Sequence, residues 1–319
     1  MTKEEVISVF KAKPMYLNMG AGKLAKQFKC SKDVIYEARA IVRKNMKEFG
    51  TTYHPKEVAF KPVENKHRLL FIDIETSPIL NLSFRVWKAN IRPEQILSDW
   101  YCISWSAKWA GESEMINGVL TPEEALNEDD SRIMIDLWNV LNSADTVVSH
   151  NGISFDHKRI NTRFIMNGLP PTRPVRIIDT LKVVKDNFAF TSNKLDAILV
   201  KFGLDKKLDT DFNLWRDCVH GNPEALTRMS EYNDWDVISL ERAFQRLRPW
   251  IKNFPNYVLY NDVDDANVCP TCGGKHLIED GIYTTVNNKY VLYRCTDCGC
   301  ISRNRKAEKT IVKITNNIR

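Results

Sequence analysis

The sequence has no run of 18 or more apolar residues, so we predict no membrane-spanning helix. Its first residues, MTKEEVISVF, lack the charged, apolar and small-residue segments of a secretory signal, and we therefore expect a cytoplasmic protein. Internal repeats and low-complexity segments are also absent, so a repeat architecture is not expected. With 43% hydrophobic and 27% charged residues, the 319-residue chain has the composition of a globular protein.

Charge is distributed unevenly along the chain, although the net charge is only +6. Basic residues exceed acidic ones by eight in residues 1–68 and by two in residues 261–319. Acidic residues exceed basic ones by four in residues 69–260. Two basic ends favour a polyanionic partner such as nucleic acid, although basic tails can also serve solubility alone.

Changes in composition and periodicity divide the chain into six segments, each with its own pattern. The predicted segments are a helical module (1–50), a linker (51–67), an α/β module (68–252), a connector (253–268), a cysteine module (269–300) and a basic tail (301–319).

The middle module alternates apolar runs of strand length with segments of helical periodicity. Its first run, RLLFIDIE, is continuously apolar before its acids, as expected for a strand that is buried on both faces. The segment DTVVS predicts a later strand, and FDHKRINTRFIMNG after it predicts a helix. The module closes with one or two helices before residue 252. This alternation predicts an α/β fold with a mixed sheet flanked by helices.

Four carboxylates and a tyrosine form an ordered set within this module. Asp73 and Glu75 lie two residues apart on the first predicted strand, so period two puts both side chains on one face. Two carboxylates aimed at one point repel each other unless a cation lies between them. Asp156 follows the predicted strand DTVVS, and Tyr232 and Asp236 share a face if their segment is helical.

This set resembles the DEDD class of 3′→5′ exonucleases of the ribonuclease-H-like superfamily, in its tyrosine subclass. It is especially similar to the proofreading domain of family-B DNA polymerases. The sequence FIDIETSP matches the first motif of the class, HNGISFD with INTR the second, and YNDWD the third. The sister subclass has His five residues before the last Asp, where this chain has Glu231. The resemblance covers roughly residues 68–250.

The resemblance implies a nuclease with two divalent cations, Mg²⁺ or Mn²⁺, at the four acids. Asp73, Glu75 and Asp236 would hold the cation that activates the attacking water. Asp73 and Asp156 would hold the cation that stabilises the leaving 3′ oxygen. Tyr232 would orient the water by a hydrogen bond.

Three further side chains are expected to bind substrate. Thr76 stands next to the metal-binding acids, where it would contact the terminal nucleotide. Asn151 would position Asp156 or the substrate. Arg163, seven residues after Asp156, would lie on the same helix face and meet a phosphate, with a surface ion pair as an equal alternative.

Five of the eight cysteines fall between Cys269 and Cys300, which in a cytosolic chain favours a metal site over disulfides. Two CxxC pairs each continue into glycine, and strand-like segments joined by Asn287–Asn288 lie between them. This pattern predicts a zinc ribbon with one structural Zn²⁺, and His276 and Cys300 are spare candidate ligands. The four predicted ligands are Cys269, Cys272, Cys295 and Cys298.

Residues 20–47 predict two helices joined by a short turn and resemble a helix-turn-helix. Ser31 is a predicted N-cap of the second helix, whose exposed start carries Lys32, Asp33 and Tyr36, the positions that would meet DNA. Lys29 stands where the turn usually has glycine, and a plain three-helix packing module is the alternative.

Taken together, these features predict an enzyme that removes nucleotides from 3′ ends of nucleic acid. Too little chain remains for a polymerase module, so we expect a stand-alone nuclease. DNA is favoured because a helix-turn-helix reads duplex grooves, and RNA stays open. Two alternatives remain, an endonuclease of the same superfamily such as a resolvase or transposase, and a non-catalytic DNA-binding factor.

Overall fold

The structure is a computed structural model. It describes residues 1–12, 21–48, 67–87, 89–205, 210–260 and 267–308. Nearly all of the predicted linker, part of the predicted connector and the end of the basic tail lie outside these ranges. Among the described residues, no helix combines the length and the apolar character needed to cross a membrane.

Ten α-helices and ten β-strands are described. The helices are α1 (Lys3–Ala12), α2 (Ala21–Phe28), α3 (Lys32–Glu48), α4 (Pro122–Asn127), α5 (Ser131–Asn142), α6 (Asp156–Met166), α7 (Thr180–Asn187), α8 (Leu195–Lys201), α9 (Phe212–Val219) and α10 (Pro223–Leu247). The strands are β1 (Leu69–Thr76), β2 (Leu80–Asn81), β3 (Ile96–Ser98), β4 (Cys102–Trp109), β5 (Met115–Val119), β6 (Thr146–Ser149), β7 (Arg176–Asp179), β8 (Leu277–Thr284), β9 (Lys289–Cys295) and β10 (Ile301–Arg303).

A five-stranded mixed sheet with the order β5-β4-β1-β6-β7 forms the centre of the α/β module. Strand β1 is parallel to β6, which is parallel to β7. Strand β4 is antiparallel to both β1 and β5. The first predicted strand is therefore the central strand, and the predicted mixed sheet flanked by helices is confirmed.

The two faces of β1 pack against different helical layers. Ile72 belongs to the core that includes α5, whereas Phe71 lies on the opposite face against α10. There the ring of Phe71 meets the ring of Phe244 edge to face, with centroids 5.1 Å apart. Because strand side chains alternate, Asp73 and Glu75 continue the α10 face of the sheet.

The end of the module, predicted as one or two helices, is the single helix α10 of 25 residues. It begins after Asn222, whose side chain accepts a hydrogen bond from the backbone N–H of Ala225 at 2.9 Å. Pro223 occupies the first helical position, where a backbone N–H would have no acceptor within the helix, so proline costs no hydrogen bond there. Val237 and Leu240 are buried against the sheet, so the helix spans the α10 face of β1 and β4.

Helices α1, α2 and α3 form a small module with its own apolar core, in which Phe10 and Ile35 are fully buried. Ser31 caps α3, because its Oγ accepts a hydrogen bond from the backbone N–H of Val34 at 3.3 Å. Lys29 adopts a φ of 50°, so the turn has the left-handed residue that glycine usually supplies. The predicted helix, turn and helix are confirmed.

Strands β8, β9 and β10 form a separate antiparallel sheet in the cysteine module. The β8–β9 turn closes with a hydrogen bond from the Thr285 N–H to the Asn288 carbonyl at 2.8 Å. This module contacts the end of α10, because Arg248 donates to the Thr271 carbonyl at 2.6 Å and Cys300 donates to the Arg248 carbonyl at 3.7 Å.

Candidate metal centres and substrate site

Three carboxylates from two elements converge beside the C-terminal end of β1. One oxygen from each of Asp73, Glu75 and Asp236 lies within 4.8 Å of the other two. Strand β1 supplies the first two, and α10 supplies the third. Hard oxygen donors at this spacing suit a small divalent cation, so this carboxylate triad could hold a metal ion.

Small polar residues on β4 leave room for the triad. Asp73 pairs with Ser106 and Glu75 with Ser104 across the antiparallel β1–β4 ladder. Directly opposed residues of a ladder point to the same face, so each acid has a serine beside it. A large apolar side chain at either serine would occupy the space between the sheet and α10.

Asp234 fixes α10 against the outer strands of the sheet. Its Oδ1 accepts a hydrogen bond from Ser106 Oγ at 2.6 Å, and both its oxygens accept from Asn117 Nδ2 at 3.1 and 3.0 Å. Two helical turns after Asp234, Glu241 forms an ion pair with Lys108 of β4. These contacts set the position of α10 along the sheet, and hence of Asp236. Sequence reasoning missed Asp234, although it is the first acid of YNDWD.

Tyr232 lies one helical turn before Asp236 and is half-buried. Burial raises the pKa of its phenol, and the negative charges of Asp236, Glu75 and Asp73 raise it further. The phenol therefore keeps its proton and can donate a hydrogen bond. Its ring packs edge to face on Trp215, with centroids 6.0 Å apart.

Trp215 of α9 is a site residue that sequence reasoning missed. Its indole N–H donates a hydrogen bond to Glu75 Oε2 at 3.2 Å. This bond orients the carboxylate at the same time as the ring supports Tyr232. A single tryptophan in a helical segment gave no signal of this contact, which joins residues 140 positions apart.

Asp156 opens α6 and is 3% exposed, but it lies outside the group that contains Asp73, Glu75 and Asp236. Burial raises the pKa of its carboxyl, and the charge of Asp179 raises it further, whereas a backbone hydrogen bond from Ile74 works in the opposite direction. A buried acid of this kind favours a bound cation, because positive charge would stabilise its ionised form.

Asn151 belongs to a tight turn that leads from β6 into α6. Its φ of 75° is in the left-handed region that asparagine tolerates, and its backbone N–H donates to Asp179 Oδ1 at 2.9 Å. A Cβ on Gly152 would lie 1.7 Å from Ser149 Oγ, so only glycine fits there. The turn thus fixes the start of α6, where Asp156 stands.

Thr76 lies at the edge of the carboxylate triad and contacts an arginine that sequence reasoning missed. Its Oγ1 accepts a hydrogen bond from Arg159 Nη1 at 2.5 Å. The guanidinium carbon of Arg159 lies 4.6 Å from the ring centroid of Trp100 and 4.3 Å from that of Phe155. Burial lowers the pKa of Arg159, although the charges of Asp156 and Asp99 oppose that shift. The result is a cation held between two rings beside the acids.

Arg163 has a different partner from the phosphate that we predicted. Its Nε and Nη2 donate to the two carboxylate oxygens of Asp130 at 2.6 and 2.7 Å. Asp130 is fully buried and also accepts from the backbone N–H of Cys102 at 2.9 Å. Helical spacing directs Arg163 inward, towards Asp130 at the start of α5. The ion pair therefore joins α6 to the core.

Four sulfur atoms form a second group at which a metal ion could bind. The Sγ atoms of the four cysteines in the two CxxC pairs all lie within 4.8 Å of one another. In each knuckle a glycine with positive φ donates its N–H to the first cysteine carbonyl, at 2.8 Å for Gly273 and 2.9 Å for Gly299. The spare candidates lie outside this group: His276 contacts Asp297, and Cys300 lies beside the group, where its thiol donates to the Arg248 carbonyl. The members of this cysteine cluster are Cys269, Cys272, Cys295 and Cys298.

Comparison with known protein families found one similarity, within the α/β module. Residues 100–248 match a family model described as RNase_H superfamily. The match contains Asp156, Tyr232 and Asp236 and begins after β1. No curated protein matches the chain. The five-stranded mixed sheet and its helices form a ribonuclease-H-like domain, which supports a metal-dependent nuclease-type function and a nucleic-acid substrate.

Proposed function

We propose that this protein is a metal-dependent 3′→5′ exonuclease that hydrolyses phosphodiester bonds at the 3′ ends of nucleic acid, with DNA the favoured substrate. The observation that carries the proposal is the convergence of Asp73, Glu75 and Asp236 beside Tyr232, within a ribonuclease-H-like domain. The order of these residues along the chain is that of the DEDD class in its tyrosine subclass.

The donor set suits Mg²⁺ or Mn²⁺, because it consists of carboxylate oxygens alone. Asp73, Glu75 and Asp236 would hold one cation, and Asp73 with Asp156 a second. The bound ions would supply an activated water and would neutralise charge on the leaving 3′ oxygen.

The side chains around the acids orient water and substrate. Tyr232 keeps its proton, so it can donate a hydrogen bond to the attacking water or to a phosphate oxygen. Trp215 holds the Glu75 carboxylate in one orientation. Arg159 presents a fixed positive charge beside Thr76, where it would attract the phosphate next to the terminal nucleotide.

The cysteine cluster fits a structural zinc ion. Four thiolates complete a tetrahedral shell and leave no position for water or substrate. The ribbon would then hold β8, β9 and β10 together at the end of α10. Its role would be to place a basic surface near the nuclease domain.

The N-terminal module supports the preference for DNA. The start of α3 carries Lys32 and Tyr36, both exposed, and Tyr36 is 56% exposed. A helix that presents such residues after a capped turn can enter a major groove. Residues 1–50, 68–252 and 269–300 would then act as DNA-binding, catalytic and zinc-binding units of one cytoplasmic nuclease.

A digestion assay tests the proposal. The purified protein is incubated with a 5′-labelled single-stranded DNA, a matched RNA and a covalently closed DNA circle, each with Mg²⁺ or Mn²⁺. We expect a ladder that shortens from the 3′ end of the DNA and an intact circle. Asp236→Asn should abolish the ladder, whereas Glu231→Gln, an exposed acid on the same helix, should retain it.

The other outcomes distinguish the alternatives. Cleavage of the circle would indicate an endonuclease of the same superfamily. Binding without hydrolysis under every metal condition would indicate a non-catalytic DNA-binding factor. Faster digestion of the RNA would reverse the expected sugar preference.

A further inference from the structure

Residues 77–100, here called the flap, connect β1 to β4, and those that the structure describes carry an unusual apolar surface. Phe84 is fully exposed, and Val86 and Trp87 are 89% and 84% exposed. Leu80 and Leu82 are also more than half exposed. Large apolar side chains that face solvent together are typical of a binding surface rather than of a solvated loop.

The base of the flap is fixed where β1 ends and β4 begins. The Ser77 N–H donates to the Tyr101 carbonyl at 2.9 Å, and the Tyr101 N–H donates to Ser77 Oγ at 2.9 Å. Strands β2 and β3 then pair antiparallel, and Leu82 and Gln95 exchange hydrogen bonds of 2.9 and 2.8 Å. The tip that carries Phe84 and Trp87 therefore projects from a hairpin with a defined base.

The flap begins directly after the substrate edge of the carboxylate triad. Thr76 is the last residue of β1, and Trp100 at the other end of the flap packs on Arg159, which binds Thr76. Leu80 is five residues from Glu75, so at most about 18 Å of chain separates them. The flap therefore leaves the sheet at the end of β1 that carries Asp73 and Glu75.

One positively charged side chain lies among the exposed apolar residues of the tip. Arg85 lies between Phe84 and Val86, and Trp87 follows. Among the described residues the Arg85 guanidinium has no acidic partner within 4.0 Å, whereas Arg92 is 3.9 Å from Glu94. Aromatic rings beside an unpaired arginine suit a ligand that has both flat apolar faces and phosphates.

We propose that the flap binds the single-stranded 3′ segment of the nucleic acid, with bases stacked on Phe84 and Trp87 and a phosphate on Arg85. This inference rests on the proposed nuclease function. Bases in a duplex already stack on their neighbours, so only an unpaired strand offers free base faces to the rings. The flap would thus select frayed or single-stranded ends and lead them to the acids.

Binding measurements without turnover test the flap separately from catalysis. Fluorescence anisotropy is measured in Ca²⁺ with an Asp236→Asn background and three labelled ligands: a single strand, a blunt duplex and an abasic strand of equal length. The test variant is Phe84→Ala with Trp87→Ala. The matched control is Leu82→Ala with Val86→Ala, which removes exposed apolar side chains from the same segment without removing a ring.

Stacking is worth enough for a clear result. Each base on a ring contributes about 5- to 150-fold in affinity, so the aromatic double variant should bind the single strand at least about tenfold more weakly. It should also lose the preference for the single strand over the abasic strand. The aliphatic control should change affinity less than about twofold, and Arg85→Gln should weaken both strands equally.

Two results would overturn the flap proposal. One is that the Asp236→Asn protein with an unchanged flap binds the normal and the abasic strand with equal affinity. The other is a concentration-dependent dimer in sedimentation that the aromatic double variant abolishes, because the flap would then bind a second copy of the chain. Hydrolysis by the wild-type protein is measured separately. A failed nuclease assay would contradict the proposed function without changing the binding result, and a failed binding result would contradict the flap proposal alone.

Discussion

The carboxylate triad and the cysteine cluster both bring ligand atoms within 4.8 Å of one another, yet their surroundings differ. The acids stand on β1 and α10, which belong to a large sheet-and-helix core. The cysteines lie in two turns beside a small sheet, in whose outer strand β8 nearly every residue is exposed. Among residues 267–308, Cys269, Cys295 and Cys300 account for most of the buried side chains.

The difference indicates what a metal ion would do at each group. The core around the acids buries enough apolar surface to hold them in place, so a cation there would serve chemistry. The cysteine module has too little core to fold on packing alone, so a cation there would serve stability. Removing the metal should therefore affect function at one group and folding at the other.

The largest expected effect is on the ribbon. Cys295→Ser should reduce bound zinc from one ion per chain to almost none, because structural zinc contributes about 10 kcal/mol or more to the folding of such modules. Zinc content and hydrogen exchange of β8 and β9 would be measured. Exchange in β1 and β4 should stay slow, since those strands belong to the other core.

Cys300→Ser is the matched control for that experiment. Cys300 is buried beside the cluster, but its thiol faces the Arg248 carbonyl. The variant should retain its zinc. Loss of zinc from Cys300→Ser with retention by Cys295→Ser would contradict the ligand assignment.

The second effect is on catalysis. Asp236→Asn should lower the rate of hydrolysis by about 10³-fold, since loss of a metal-binding carboxylate removes several kcal/mol of transition-state stabilisation. Its thermal midpoint should change by no more than about 2 °C, because removing one of three adjacent negative charges relieves repulsion. A variant that unfolds at room temperature would show that the acid is needed for the fold.

A third prediction separates two arginines of one helix. Arg163→Ala should lower the free energy of unfolding by about 3–5 kcal/mol, because it leaves the fully buried Asp130 charge without its partner. Arg159→Ala should cost less than about 1 kcal/mol in stability but weaken substrate binding about tenfold. Urea unfolding and KM measurements on both variants would test this. Equal stability losses would remove the distinction.

The smallest effect concerns the position of α10. Asp234→Ala leaves Ser106 and Asn117 without their acceptor, which should lower the free energy of unfolding by about 1.5–3 kcal/mol. The rate of hydrolysis should fall about tenfold, because α10 carries Tyr232 and Asp236. Asp234→Asn keeps one acceptor oxygen and should recover most of both losses. No change in rate with Asp234→Ala would show that the helix is positioned by packing alone.

The sequence was sufficient to predict the central strand, the mixed sheet, the four cysteines that lie together and three of the four acids as a group, with Asp156 outside it. These rest on short-range patterns: an apolar run before Asp73 and Glu75, and two CxxC pairs. The helical segments on either side likewise located the turn before Ser31. Each depends on residues close together in the chain, where spacing determines which face a side chain occupies.

The contacts that join distant elements could not be predicted in this way. Asp234 meets Ser106 across 128 positions, and Trp215 meets Glu75 across 140. Helical spacing alone could not choose between Arg159 and Arg163, because the choice depends on where Asp130 lies in the fold. The flap gave no periodic signal, since its apolar residues face solvent instead of a core.

One measurement tests the contrast between the two metal-binding groups most directly. The protein is dialysed against a mild chelator that removes Mg²⁺ and Mn²⁺, and hydrolysis of a 5′-labelled strand is measured together with the zinc content of the same sample. We predict that hydrolysis disappears while one zinc per chain remains, and that added Mg²⁺ or Mn²⁺ restores it. Hydrolysis that persists without added metal, or that follows the zinc content, would contradict the account.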